Sequence, residues 1–172
     1  MKKILILFLL SAFLINGCTT KKNSEDNTID VSGLQSLIKK KDYTLVYFWT
    51  TWCGPCRKTL SQTLPEFEKT INPATTQLVV VAVSKDDEKI NKVLGKSSLS
   101  ADKYKLAFSG PDVYLAHKVV LKQTLEDLFP NDKVWRNGVP VFVLVNKDMK
   151  VLDPKLSTKL AELKDKIKTE IP

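Results

Sequence analysis

The most informative segment of the chain reads Tyr47-Phe48-Trp49-Thr50-Thr51-Trp52-Cys53-Gly54-Pro55-Cys56. It joins an apolar run, which predicts a buried strand, to a segment that can be helical. A cysteine at a helix N-terminus lies beside open N–H groups and a partial positive charge, and both favour its thiolate. We therefore expect Cys53 to be the low-pKa nucleophile of a redox pair and Cys56, one turn further on, to be its shielded resolving partner.

Two other interpretations of the cysteine pair are a buried apolar pair and half of a zinc site. A structural zinc site needs about four ligands, and the chain holds only three cysteines and one histidine. Pro55 suits the first turn of a helix, where its missing N–H would have no partner in any case. The redox interpretation is therefore favoured, and no metal or other cofactor is expected.

The pentapeptide Trp52–Cys56 resembles the active-site motif of thioredoxins. With its flanks, it is similar to the membrane-tethered extracytoplasmic proteins of the TlpA/ResA-like group. The resemblance implies an α/β thioredoxin fold over roughly residues 32–170. It also implies that Trp52, Gly54 and Pro55 support the two cysteines, with Trp52 packed beside the site as a shield.

A second half of the site is expected at Gly138-Val139-Pro140. The resemblance implies that Pro140 follows a cis peptide bond and faces the cysteines, where it occupies the space of a possible metal ligand. It also implies that the backbone of Val139 pairs with a bound substrate chain as an added strand. A plain proline at the start of a strand is the alternative.

The first eighteen residues have the pattern of an export signal: basic Lys2 and Lys3, then a nearly continuous apolar run over 4–15. That run is shorter than the roughly 20 residues that span a membrane. Leu14-Ile15-Asn16-Gly17-Cys18 resembles a bacterial lipobox, which implies cleavage after Gly17 and a lipid on Cys18. The alternatives are an ordinary cleaved signal peptide and an uncleaved anchor.

Lipid on Cys18 leaves Cys53 and Cys56 to pair with each other. We predict a lipoprotein signal peptide over 1–17, a flexible lipid-anchored spacer over 18–31 and one thioredoxin-like domain over 32–172. The protein is then expected outside the cytosol, in the periplasm or at the cell surface, on a bacterial membrane. Several acyl chains would hold it there stably, whereas one chain alone gives marginal binding.

The formal net charge of +8 comes from basic residues that are scattered among acidic ones. This distribution indicates a solvated lysine-rich surface. Nucleic-acid binding is not expected, because it calls for clustered basic residues with aromatics. We expect a monomer.

Hydrophobic periodicity predicts a βαβ unit, an insertion and a ββα unit. The resemblance implies that these form a central mixed sheet flanked by helices and that the insertion is of the αβ type. Ser32 is expected to cap the first helix, and Pro65 to disturb the active-site helix. Asp112 is expected to cap a helix that runs to Leu128. The predicted strands are 44–50, 77–84, 104–108, 141–145 and 150–152, and the helices begin near residues 32, 53, 87, 112 and 154.

In the helix predicted from residue 112, the residues spaced in turns are Leu115, Val119, Lys122 and Leu125. The last predicted helix places Leu156, Leu160, Leu163 and Ile167 on one apolar stripe.

The insertion is expected over 85–136, because Pro140 follows Cys56 by 84 positions, more than in a minimal thioredoxin. Inserted elements near a site commonly set the choice of partner. The insertion holds His117, the only histidine of the chain, which we interpret as a surface or packing residue. Trp49 is expected in the core, whereas Trp135 would line the substrate groove or cover the core.

Two positions depart from the family pattern. Thioredoxins carry a buried aspartate six residues before the first cysteine, where this chain has Tyr47. ResA-like proteins often have a glutamate three residues after the second cysteine, where this chain has Thr59. The acid that would move the proton of the resolving thiol is therefore absent from both places.

Two function hypotheses follow. The first is a lipid-anchored thiol–disulfide oxidoreductase that acts on disulfide-containing proteins and draws electrons from an unidentified membrane or periplasmic donor. Gly54-Pro55 resembles thioredoxin and favours reduction, whereas Val139 before the proline resembles strong oxidases. The second is a non-enzymatic binding lipoprotein with a vestigial dithiol, for which a Cys53→Ser/Cys56→Ser variant would still complement a deletion strain.

Overall fold

The computed structural model of the protein describes residues 27–132 and 138–152. The strands of this part are β1 (Thr28–Ile29), β2 (Tyr43–Trp49), β3 (Thr76–Ala82), β4 (Asp102–Leu106) and β5 (Val141–Asn146). The helices are α1 (Val31–Ile38), α2 (Gly54–Lys58), α3 (Leu64–Glu68), α4 (Asp87–Leu94) and α5 (Tyr114–Leu128). A π-helical segment, Thr59–Thr63, joins α2 to α3.

The strands form one mixed sheet in the order β1-β4-β3-β2-β5. The neighbours β1 and β4, β4 and β3, and β3 and β2 are parallel, whereas β5 runs antiparallel to β2. This confirms the predicted α/β thioredoxin fold. One correction concerns β1, which lies inside the segment predicted as a spacer: Thr28 and Ile29 pair with Lys105 and Leu106 instead.

An apolar layer covers each face of the sheet. Strands β2 and β3 are buried on both faces, as their continuous apolar sequences predict for central parallel strands. On one face, alternate strand residues pack with α1 and α5. On the other face, the intervening residues, which include Tyr47 and Trp49, pack with α2, α3, α4 and the two cysteines. The redox pair therefore lies against one of the two cores.

The active-site helix is widened before Pro65. The Leu64 N–H donates to the Thr59 carbonyl five residues back rather than four. In a regular α-helix, the ring of Pro65 would clash with the carbonyl four residues earlier, and the wide turn gives it room. The predicted disturbance at Pro65 is confirmed, and the helix continues to Glu68.

The insertion consists of α4, β4 and α5, as predicted, and β4 enters the sheet between β1 and β3. Of the residues spaced in turns along the predicted helix, Leu115 and Val119 are exposed, whereas Leu125 is buried. The buried residues of α5 are His117, Leu121, Thr124, Leu125 and Leu128.

Two predicted caps are also wrong. Helix α1 is capped by Asp30, whose carboxylate accepts the Gly33 N–H at 2.7 Å, because Ser32 already lies inside the helix. Helix α5 has no side-chain cap, because the Asp112 carboxylate bonds to other groups at the site.

After β5, a turn leads to an isolated antiparallel bridge between Val145 and Val151. The predicted last helix, which would begin at Asp153-Pro154, lies outside the described residues, as does the predicted signal and lipid site at Cys18. Among the described residues, no helix is long and apolar enough to cross a membrane.

Candidate active site

The two cysteines lie just beyond the carboxyl end of β2 and form a disulfide, with their Cα atoms 5.2 Å apart. Cys53 is the N-cap residue of α2, and its Sγ accepts the backbone N–H of Cys56 at 3.2 Å. Pro55 lies in the first turn, where its missing N–H leaves no bond unmade. After reduction, a thiolate on Cys53 would still accept the hydrogen bond from this N–H, and the partial positive charge of the helix terminus would stabilise it.

The two cysteines differ slightly in burial. Cys53 is 4% exposed and Cys56 is fully buried in the core layer below the helix. Of the two, Cys53 is therefore the one that retains some contact with solvent. Cys56 is placed to attack Cys53 from within, which is the task of a resolving thiol.

Val139 and Pro140 lie close to the Cys53 sulfur. The peptide bond between them is cis, the isomer that the resemblance implies. The Cys53 Sγ is 3.9 Å from the Val139 carbonyl oxygen. Both residues are partly exposed.

Tyr47 and Thr59, which replace the family acids, meet behind Cys56. The Tyr47 hydroxyl donates to the Cys56 carbonyl oxygen at 3.3 Å and also shares a hydrogen bond with the Thr59 side chain. Burial raises the pKa of Tyr47 well above its usual value, although the bond to Thr59 lowers it in part. Tyr47 is therefore a neutral phenol at any working pH, and it orients the backbone of Cys56 rather than taking its proton.

His117 is a site residue that the sequence interpretation missed. It is 3% exposed, and its Nδ1 accepts the indole N–H of Trp52 at 2.8 Å. Its Nε2 is 2.5 Å from Oδ1 of Asp112. Trp52 precedes Cys53 in the chain, so this contact connects the inserted helix α5 to the redox motif.

Asp112 accepts hydrogen bonds from several residues around His117. It also accepts the Lys85 backbone N–H at 3.0 Å and the Ser84 hydroxyl at 3.2 Å. Burial alone would raise the pKa of the Asp112 carboxyl, but the hydrogen bonds from His117, Lys85 and Ser84 outweigh it and lower the pKa. The carboxylate is therefore ionised at neutral pH and faces the imidazole.

The sequence carried one weak signal for this group, which is an aspartate five residues before the only histidine at the start of a predicted helix. Nothing in the periodicity linked that helix to Trp52, because the two are 65 positions apart.

Exposed apolar side chains border the cysteines. Trp52 is 42% exposed, and its ring packs edge-on against Tyr114, with the ring centroids 4.7 Å apart. Val113 and Leu115, which flank Tyr114, are also exposed. Trp135 lies outside the described residues, so its predicted place at the groove stays a prediction.

No group of three or more histidine, cysteine or acidic residues placed to hold a metal occurs within 27–132 and 138–152. In the same ranges, the arrangement of Cys53 and Cys56 fits thiol–disulfide exchange.

Comparisons with known proteins agree with this geometry. A family model described as thioredoxin-like matches residues 41–151, more than half of the chain. A segment of 86 residues, 46% of the chain, is 28% identical to protein disulfide isomerase-like 1-1 of Arabidopsis thaliana. The match spans only 16% of that protein.

Two solved structures share the fold. The thioredoxin domain of a thiol-disulfide oxidoreductase from Bacteroides vulgatus matches with a TM-score of 0.55 at 19% identity, over 78% of this chain and 82% of that one. StoA from Bacillus subtilis matches with a TM-score of 0.50 at 17% identity, over 74% of this chain and 84% of that one. With its Cys53–Cys56 disulfide in a thiol–disulfide oxidoreductase-like fold, the chain belongs to the thioredoxin-like family.

Proposed function

We propose that this protein is a thiol–disulfide oxidoreductase that reduces disulfides in other proteins and is held outside the cytosol by a lipid on Cys18. One observation carries the enzymatic part. The Cys53–Cys56 disulfide lies at a helix N-terminus, and the sulfur of Cys53 lies 3.9 Å from the carbonyl oxygen of the partly buried Val139. This arrangement supports a stabilised thiolate on Cys53, a buried resolving thiol on Cys56 and substrate binding beside Val139.

The proposed cycle moves two electrons and two protons. The Cys53 thiolate attacks one sulfur of the substrate disulfide, that S–S bond breaks, and the departing thiolate takes a proton. The Cys56 thiolate then attacks the Cys53 sulfur, which breaks the mixed disulfide and releases the second substrate thiol. The chain is left with its own disulfide, and a membrane or periplasmic dithiol donor must reduce it before the next turnover.

The direction of electron flow is tested by the reduction potential of the pair. A chain that carries Cys18→Ser is equilibrated with glutathione buffers, quenched with acid and alkylated, and the reduced fraction is then measured. Because Gly54-Pro55 lies between the two sulfurs, we expect a potential near the roughly −270 mV of thioredoxin. A potential near the roughly −120 mV of a strong oxidant would show that the protein oxidises its partners instead.

The membrane tether rests on the first eighteen residues, with their two lysines, apolar run and lipobox-like end at Cys18. Radiolabelled palmitate supplied to expressing bacteria is expected to label the wild-type chain and not a Cys18→Ser variant. A wild-type chain that is exported without label would show an ordinary signal peptide and would remove the lipid from this account.

A further inference from the structure

The hydrogen bonds around His117 define its proton arrangement. The indole N–H of Trp52 can only donate, so the Nδ1 atom that it contacts must accept. The proton of the imidazole is then on Nε2, which donates to the Asp112 carboxylate. Both ring nitrogens are therefore used by a neutral imidazole, and the ring has one orientation that satisfies both partners.

The partner at Nδ1 borders the reacting sulfur. Trp52 is adjacent to Cys53 in the chain, and 42% of its surface is exposed. Its ring lies parallel to the imidazole and packs edge-on against Tyr114. Trp52, next to Cys53 in the chain, and Val139, 3.9 Å from the Cys53 sulfur, therefore both adjoin the place that a substrate segment must reach.

We propose that His117 is a positioning residue for the exchange reaction: its neutral imidazole holds the Trp52 indole as a wall for the substrate segment at Cys53, and proton uptake at Nδ1 releases that wall. The inference rests on the proposed function and adds to it a pH-dependent control of substrate binding. A protonated Nδ1 would be a donor that faces the Trp52 donor, so the bond between them cannot survive protonation.

Charged groups of both signs lie near the imidazole. The Asp112 carboxylate faces its Nε2 atom. Lysines from several parts of the chain lie near this group. Lys85 lies over the Phe108 ring that contacts the imidazole edge-on, Lys118 lies over the Tyr114 ring on α5 itself, and Lys89 of α4 interacts with Asp112. Histidine is the side chain whose charge ordinarily changes between pH 5 and 8, which sets the pH range of the test.

Two substitutions separate positioning from mere packing. In His117→Ala, the indole N–H loses its acceptor. In His117→Gln, the amide oxygen can accept from Trp52 while the amide nitrogen donates to Asp112, and the amide does not titrate between pH 5 and 8. The glutamine variant is therefore the matched control for a neutral imidazole.

The experiment follows the indole N–H resonance of Trp52, assigned with Trp52→Phe, and the KM for a disulfide-bonded peptide between pH 8 and 5. At pH 8, we expect His117→Ala to raise KM about three- to tenfold with kcat little changed, as the loss of one hydrogen bond implies. His117→Gln should restore the wild-type KM at pH 8. On acidification, the resonance and KM of the wild type should shift, and those of His117→Gln should not.

The inference and the proposed function can fail separately. The resonance reports the contact whether or not the protein turns over substrate, so an inactive wild type with a shifting resonance would count against the function alone. An active wild type whose Trp52 resonance and KM match those of His117→Gln at every pH would overturn the inference. A wild-type KM retained in His117→Ala would overturn it as well.

Discussion

Replacing Cys53 with serine is expected to reduce the catalysed reduction of insulin by dithiothreitol to the rate of dithiothreitol alone. The physical reason is that Cys53 lies at the helix N-terminus and retains 4% exposure, whereas Cys56 is fully buried. Serine retains the size of the side chain but presents no thiolate to the substrate disulfide. The measurement is the onset of turbidity as the insulin chains separate and precipitate.

The chain supplies a matched control for this result. Cys18→Ser makes the same chemical change at a cysteine outside the predicted domain, and it should retain the full rate. If Cys53→Ser reduced insulin as fast as Cys18→Ser, the catalytic role of the pair would have to be abandoned, and the binding-lipoprotein hypothesis would take its place.

The second large effect is a loss of stability that we expect from a substitution on the buried face of α5 and not from one on its exposed face. Leu121 is 1% exposed and packs in the core with α1 and the sheet, whereas Leu115 of the same helix is 70% exposed. Leu121→Ala removes buried methyl groups and leaves a cavity, so we expect a loss of about 2–5 kcal/mol in the free energy of unfolding. Leu115→Ala should change it by no more than about 0.5 kcal/mol.

Urea unfolding of both variants, with the disulfide intact, gives this comparison. The two substitutions are identical in chemistry and in helix propensity, so their difference isolates burial. A larger loss for Leu115→Ala than for Leu121→Ala would contradict the structure.

Much of the fold could be predicted because its strands carry strong local signals. The continuous apolar sequences of β2 and β3 predict central strands that are buried on both faces of the sheet. Strand β1 was missed because two residues carry no periodicity, and its identity depends on pairing with β4, which is far away in the chain. The inward face of α5 was missed because it includes the polar His117 and Thr124, while Leu115 and Val119 face solvent.

The candidate site also has parts that the sequence predicted and parts that it did not. The cysteine pair and the cis proline lie in short motifs whose chemistry can be interpreted without a structure. The partner of Trp52 could not be found, because it lies on an inserted helix whose position depends on tertiary packing. At this helix, the usual rule of apolar residues inside and polar residues outside fails, and such failures are expected at functional sites. The role of Tyr47 as a neutral donor likewise depends on its burial, which raises its pKa and which only the structure shows.

The central claim is that Cys53 attacks and Cys56 resolves. The most direct test uses a Cys18→Ser/Cys56→Ser chain, which is reduced and then mixed with a disulfide-bonded peptide. Without its resolving thiol, the chain should accumulate a mixed disulfide, and mass spectrometry of the digested adduct should find the peptide on Cys53. Failure of the Cys18→Ser/Cys53→Ser chain to form such an adduct completes the prediction. An adduct on Cys56 in that second chain, formed as fast as the one on Cys53, would contradict the account.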